Sequence, residues 1–177
     1  MRTLNIKDAN FEVDFNDYDR DTANLQSQNG SDIIKFMFSA NKGEPLKPLN
    51  KVISGGEMSR FMLAVKTQLK DLNGISTYIF DEIDAGISGV TARTVAEKFI
   101  NIAQNTQILA VSHLPQVCAA SSAQFLIYKT EDSGKTITKV KRLSDDEKVE
   151  EIVRLTGSVK SAAATEHAKE LISQFKK

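Results

Sequence analysis

The sequence is poor in cysteine and histidine and has no excess of charge, and each shortage excludes a class of protein. Cys118 is the only cysteine among 177 residues, so no disulfide can form within the chain. The two histidines, His113 and His167, lie far apart in the sequence, which argues against a zinc site. The 23 basic and 23 acidic residues give a formal net charge of +0, so overall charge provides no argument for nucleic-acid binding.

Long hydrophobic runs are also missing. No apolar stretch approaches the ~20 residues that span a bilayer, and the N-terminus lacks the apolar segment of a signal peptide, so we expect no membrane contact. The remaining composition, 41% hydrophobic and 26% charged, is typical of a globular protein. A chain of this length can bury one core, so we expect residues 1–177 to form a single domain.

The order of periodic segments predicts an α/β fold. Strands are predicted over residues 11–15 and 33–38, with a proline-containing loop over residues 41–49. Helical spacing predicts a long helix that begins at Ser54 and ends at Asn73-Gly74, with an apolar face formed by Met58, Phe61, Met62, Val65, Leu69 and Leu72. Further helices are predicted over residues 90–104, 114–120, 144–155 and 162–175, the first with Val90, Val95, Phe99 and Ile102 inward.

The remaining strands differ in character. Residues 107–113 are almost continuously apolar, which predicts a strand buried on both faces, as in a parallel sheet. Residues 125–128 and 136–141 flank a turn at Ser133-Gly134 and are predicted to form an antiparallel hairpin.

Three carboxylates follow the apolar strand predicted near residues 77–80: Asp81, Glu82 and Asp84. A strand that ends in acids places negative charge at the carboxyl edge of a sheet, where open α/β folds bind ligands. Asp81 would hold Mg²⁺ through water, and Glu82 would orient and deprotonate a water molecule beside a phosphate. The alternative is an ordinary solvated turn, because Asp and Gly favour turns.

Two polar motifs flank this strand in the sequence. At residues 54–57 (SGGE), a hydroxyl, bare amides and a helix N-terminus suit a terminal phosphate, and Gly55 and Gly56 allow close approach. The simpler interpretation is a capping box between Ser54 and Glu57. His113 ends the next apolar strand, where it would contact a transferring phosphate or serve as a capping or core residue.

In this order, the motifs resemble the C-terminal half of an ABC-type ATPase. Residues 53–57 (ISGGE) look like the signature motif, 78–82 (YIFDE) like the Walker B strand, 84–86 (DAG) like the D-loop, and His113 like the H-loop. The signature-like motif ends in Glu57, and Ile83-Asp84 follows the acid pair Asp81-Glu82. Both features resemble those of the SMC and DNA-repair branch of these ATPases. Residues 54–60, 80–89 and 112–117 are very similar to the RecN family of bacterial SMC-like DNA repair proteins.

The resemblance covers nearly the whole chain and implies a fold, ligands and partners. The fold would be the C-terminal lobe of an ABC/SMC-type ATPase head, a mostly parallel sheet flanked by helices with antiparallel strands at the edges. The ligands would be ATP and Mg²⁺. The partners would be an N-terminal ATPase lobe, a second head that dimerises with this one around ATP, and DNA through the full-length protein. The location would be the bacterial cytoplasm, associated with the nucleoid.

The same resemblance implies roles for single residues. Asp81 would bind Mg²⁺ and Glu82 would act on water in this head's own site, while His113 would contact the γ-phosphate. Asp84 would lie at the interface between heads. The γ-phosphate of the second head's ATP would be contacted by Ser54, Gly55, Gly56 and Glu57. Arg60 could face DNA or the partner head, although a solvated helix residue is the simpler interpretation.

One family feature is missing from these residues. The sequence has no G-x-x-x-x-G-K-[ST] loop and no heptad repeat, and the loop's amides and lysine supply most of the phosphate cradle. We therefore expect a C-terminal lobe, either a truncated piece or a gene remnant, that does not hydrolyse ATP alone.

Two other functions are consistent with the residues. A non-catalytic module could bind DNA or a partner through the basic residues of the hairpin, namely Lys135, Lys139, Lys141 and Arg142, although a charged solvated edge is the commoner explanation. A transporter ATPase half is the third alternative, and Ile83-Asp84 argues against it because transporter ATPases usually have Pro-Thr there.

Overall fold

The computed structural model contains both strands and helices and describes residues 8–16, 33–39, 42–52, 55–68 and 74–176. The strands are β1 (Asn10–Asn16), β2 (Ile33–Ser39), β3 (Lys47–Pro48), β4 (Thr77–Phe80), β5 (Gln107–Ala110), β6 (Phe125–Asp132) and β7 (Lys135–Arg142). The helices are α1 (Leu49–Val52), α2 (Gly55–Gln68), α3 (Gly89–Ala103), α4 (Pro115–Ala120), α5 (Asp145–Leu155) and α6 (Ala162–Ser173). The predicted α/β class is confirmed.

The described strands form three separate sheets. β1, β2 and β3 pair antiparallel, as do β6 and β7, and the parallel pair is β4–β5. The hairpin predicted around Ser133-Gly134 is confirmed. Among the described residues, parallel pairing is confined to β4–β5, and the antiparallel strands form their own sheets instead of the edges of one sheet.

The core that carries the candidate site lies under β4 and β5. Phe80 of β4 packs on Phe99 of α3 with ring centroids 5.1 Å apart. Buried side chains from α2, α3, α4 and the segment after β4 complete this cluster, namely Leu63, Ile83, Val95, Ile102 and Val117. The end of β4 is therefore fixed between three helices.

A second cluster joins α4, α5 and α6 around Ile152, which is fully buried. The predicted capping box at the start of α5 is confirmed, because Ser144 accepts from the Glu147 backbone and the Glu147 carboxylate accepts from the Ser144 backbone. Pro115 occupies the first turn of α4, as its missing N–H allows.

Several predicted details are wrong. The segment expected to be a loop over residues 41–49 contains β3 and the start of α1. Val90 of α3 points outward with 82% of its surface exposed. Met62 is 37% exposed, because the buried residues of α2 are Gly56, Arg60, Phe61 and Leu63, of which only Phe61 was predicted to be inward. Val95, Phe99 and Ile102 are inward as predicted. Residues 53, 54 and 69–73, at the expected ends of the long helix, lie outside the described residues.

The strand β5 is not buried on both faces. Leu109 is 48% exposed and Val111, just beyond the strand, is 54% exposed. Ile79, which pairs with Leu109 across the ladder, is 73% exposed. One face of the parallel pair rests on the core, and no described residue covers the other. The continuous apolar pattern therefore corresponds to two apolar faces, of which only one is covered by described residues.

Candidate functional site

The predicted acidic strand end and the predicted histidine lie at the same edge of the β4–β5 pair. Phe80 is the register partner of Ala110, and the Val111 amide donates to the Phe80 carbonyl at 3.0 Å. Because parallel strands end at a common edge, the residues that follow each strand are neighbours. The sequence placed each group after an apolar strand, and the parallel register of β4 and β5 brings the two strand ends together.

Asp81 and Glu82 are both exposed at this edge. The Glu82 amide donates to Asp81 Oδ1 at 2.9 Å, which holds the two acids in a tight turn. Glu82 has a φ of 54°, a left-handed conformation that is uncommon for a side chain with a Cβ and that clusters at functional sites. Two accessible carboxylates in a constrained turn can serve a hydrated cation and a water molecule.

Asp84 is 6% exposed, and its Oδ2 atom accepts from three groups. The donors are the Ser112 hydroxyl at 2.7 Å, the His113 amide at 2.7 Å and His113 Nδ1 at 2.9 Å. A buried carboxylate needs such donors, because leaving it unpaired away from water is costly. Asp84 thereby ties the turn after β4 to the segment after β5, and its contact with a second head remains a prediction.

His113 is oriented by this contact. Its Nδ1 carries the proton toward Asp84, since a carboxylate can only accept, which leaves Nε2 as the nitrogen able to contact a ligand. The His113 side chain is 74% exposed. The alternative of a core histidine is therefore excluded by exposure, while the contact to a phosphate remains a prediction.

The two glycines at the start of α2 lie against the acidic turn of the same chain. A Cβ on Gly55 would come within 2.5 Å of Glu82 Oε2. A Cβ on Gly56 would lie 2.8 Å from Ala85 Cβ and 3.0 Å from the Glu82 carbonyl oxygen. Close approach to the turn is therefore required at Gly56, whether or not a phosphate also uses it. Ser54 falls outside the described residues, and Glu57 is half-buried in the first turn of α2.

Arg60 is neither solvated nor turned toward a partner. It is 4% exposed, and its guanidinium donates to carbonyls of the acidic turn. Burial lowers the pKa of Arg60, opposed by the nearby charge of Glu57. Sequence reasoning missed this contact, and it also missed Ser59 and Ser112, whose hydroxyls bind Asp81 and Asp84. The sequence signal that could have indicated the burial of Arg60 is its position on the same face of α2 as Gly56 and Leu63.

No cluster of three or more His, Cys, Asp or Glu side chains that could hold a metal ion exists within the described ranges. A Mg²⁺ site does not need such a cluster, because Mg²⁺ keeps several waters and takes one or two carboxylates plus phosphates of the substrate. Asp81 is a suitable carboxylate for Mg²⁺, because it is exposed and its Oδ1 atom accepts the hydrogen bond from the Glu82 amide.

The basic residues of the hairpin do not form one surface. The register places Lys135, Lys139 and Lys141 on one face of β7 and Arg142 on the other. Lys141 forms an ion pair with Glu147 at the start of α5, so one of the three lysines is already neutralised.

None of the helices in the described part of the chain has the length and apolar character of a membrane-spanning segment.

Comparison with known proteins gives consistent relatives. The DNA repair protein RecN of Halalkalibacterium halodurans is 44% identical over 173 residues, which are 97% of this chain and 30% of that protein. RecN of Bacillus subtilis is 45% identical over 84% of this chain and 26% of its own length. RecN of Vibrio cholerae is 36% identical over 97% of this chain and 30% of its own length. The chain thus spans less than a third of these relatives, and no protein-family model matches it.

Solved structures resemble the fold. The Smc head domain with a coiled coil and joint from Pyrococcus yayanosii has a TM-score of 0.57 at 17% identity, over 88% of this chain and 27% of that one. The Pyrococcus furiosus Smc head domain bound to the C-terminal domain of ScpA has a TM-score of 0.51 at 18% identity, over 86% and 35%. The fold is therefore that of part of an Smc head domain.

Proposed function

We propose that this chain is the C-terminal, SMC-like ATPase region of a RecN-family protein and that it supplies one part of an ATP-hydrolysing head used in DNA double-strand-break repair and recombination. The observation that carries the proposal is the meeting of three predicted motifs at the turn formed by residues 81–86. Glu82 lies against the start of α2, and Asp84 binds His113.

Each residue has a distinct task in this proposal. Asp81 would hold Mg²⁺, and the bound ion would neutralise charge on the phosphates. Glu82 accepts a proton from the attacking water, and general-base catalysis of this kind contributes about 10²–10⁴-fold. His113 contacts the γ-phosphate through Nε2, with Asp84 holding the ring. Positioning and charge carry phosphoryl transfer, so few side chains are needed.

Residues from the start of α2 act on another nucleotide. Ser54, Gly55, Gly56 and Glu57 contact the γ-phosphate of ATP that is held by a second head. The amides at the start of a helix and its positive dipole end favour such an anion. In this proposal, two heads dimerise around ATP, and the full-length protein binds DNA. The full-length protein is bacterial and associated with the nucleoid.

A further segment completes the head. The bare apolar face of β4–β5, with Ile79 at 73% and Leu109 at 48% exposed, supports this, because exposed contiguous apolar surface marks an interaction site. An N-terminal lobe with a Gly-rich phosphate loop would cover the face and supply the phosphate cradle. By itself, this chain is inactive.

Mixing tests the proposal. The chain is combined with an N-terminal segment of a RecN relative, and ATP hydrolysis is compared with that of each part alone. We expect turnover only in the mixture. If the mixture hydrolyses no more ATP than the sum of its parts, while the two chains are shown to associate, the proposal is wrong.

A further inference from the structure

The first turns of α2 bind the acidic turn through alternate backbone carbonyls. Ser59 Oγ donates to the Asp81 carbonyl at 2.8 Å. One terminal nitrogen of Arg60 donates to the Ala85 carbonyl at 2.7 Å and to the Ile83 carbonyl at 3.3 Å. Two adjacent side chains of one helix thereby take up the carbonyls of residues 81, 83 and 85.

These contacts matter because the turn has little backbone support of its own. Its internal bonds run from the Ala85 amide to the Glu82 carbonyl at 3.1 Å and from the Ile87 amide to the Asp84 carbonyl at 3.4 Å. The second is long for an N–H···O bond. Glu82, at a φ of 54°, sits in a conformation that persists only when the surroundings enforce it. The side chains of α2 are part of those surroundings.

The burial of Arg60 fits a specific task. Its side chain is 4% exposed, and its Nε has no hydrogen-bond partner among the described residues. Burying a guanidinium is costly, and an apolar residue would fill the same space without that cost. An apolar residue could not, however, bind two carbonyls of a turn. A hydrogen bond from a charged donor is stronger than a neutral one.

We propose that Arg60 and Ser59 are positioning residues that lock the turn of residues 81–86 onto the start of α2. Glu82 then keeps a fixed place relative to Gly55 and Gly56. The catalytic consequence rests on the proposed function: a phosphate bound at the start of α2 and the base at Glu82 would move as one unit, so the second head's nucleotide and this head's acid pair share a rigid connection.

Hydrogen–deuterium exchange of the full chain, without nucleotide, tests the lock directly. In Arg60→Lys, the ammonium ends one bond short of the terminal nitrogen that binds both carbonyls. We therefore expect the amides of Ala85 and Ile87 to exchange about tenfold faster, since a lost charged hydrogen bond corresponds to a factor of that order. Arg93→Lys is the matched control, because Arg93 is an exposed residue of α3 paired with Glu97. Ser59→Ala should accelerate the same amides, and Ser59→Thr, which keeps the hydroxyl, should restore them.

The amide of Thr156 at the end of α5 distinguishes local opening of the turn from global unfolding. Its exchange rate must stay unchanged in Arg60→Lys. Equal exchange of the turn in Arg60→Lys and Arg93→Lys would overturn the lock. In the mixture with an N-terminal segment, Arg60→Lys should lower kcat about tenfold and leave KM for ATP within about twofold, because misplacement of a catalytic group affects the chemical step. Unchanged kcat overturns the catalytic consequence. If the wild-type mixture is inactive, the proposed function fails while exchange still decides on the lock.

Discussion

Replacing Gly56 by alanine tests the packing of α2 against the acidic turn. The added methyl group would lie 2.8 Å from Ala85 Cβ, 3.0 Å from the Glu82 carbonyl oxygen and 3.1 Å from the Ala85 carbonyl oxygen. These atoms belong to the backbone or to a short side chain, so none can rotate away. The turn itself must shift.

The neighbouring variant, Gly55→Ala, is a matched control. Its methyl group would approach Glu82 Oε2 at 2.5 Å, and that atom is the end of a flexible, exposed side chain that can turn aside. Both substitutions replace a helical glycine by alanine, which stabilises a helix by up to about 1 kcal/mol through its higher helix propensity. Overpacking adds a cost of about 1–3 kcal/mol to Gly56→Ala alone.

The expected result is therefore a difference between the two variants. Gly56→Ala should be less stable than Gly55→Ala by about 1–3 kcal/mol, measured by urea unfolding of the full chain with circular dichroism. With an m-value of about 2 kcal/mol/M, the midpoints should differ by about 0.5–1.5 M. A midpoint for Gly56→Ala at or above that of Gly55→Ala would refute the close contact between α2 and the turn.

Three further changes have defined outcomes. Burial raises the pKa of the Cys118 thiol to about 11, so its alkylation at pH 8 should be about 100-fold slower than in urea and should rise with pH beyond pH 10; a rate that levels off near pH 9 would contradict this. Lys148→Met removes an ammonium that binds carbonyls at the end of α4 and should cost about 1–3 kcal/mol in urea unfolding, whereas Lys169→Met on the exposed face of α6 should cost less than about 0.5. Asp84→Ala removes a buried acceptor of three donors and should lower stability by about 1–3 kcal/mol; a thermal midpoint equal to wild type would refute those bonds.

Local patterns predicted much of the fold. The strands β1, β2, β6 and β7, the capping box at Ser144 and the inward face of α3 follow from alternation, helical spacing and capping chemistry, which depend on residues near one another in sequence. The exposure of Val90 and of one face of β5 did not follow, because exposure depends on which surfaces meet in three dimensions.

The candidate site divides in the same way. The acids at residues 81, 82 and 84 and the histidine at residue 113 were identified from their places after apolar strands. Their mutual contacts were not, since the bond between Asp84 and His113 joins residues 29 positions apart. Arg60 was misinterpreted for a related reason: charge predicts exposure, and only the carbonyls of Ile83 and Ala85 make its burial tolerable.

The most direct measurement of the central claim is the turnover of ATP by the mixture of this chain with an N-terminal RecN segment, with Glu82→Gln compared against Glu97→Gln. Glu97 is an exposed acid of α3 paired with Arg93, so its replacement controls for the loss of one negative charge. We predict that Glu82→Gln lowers kcat by about 100-fold or more and that Glu97→Gln changes it by less than about twofold. Turnover by the Glu82→Gln mixture at the wild-type rate would contradict the assignment of the acidic turn as the catalytic centre.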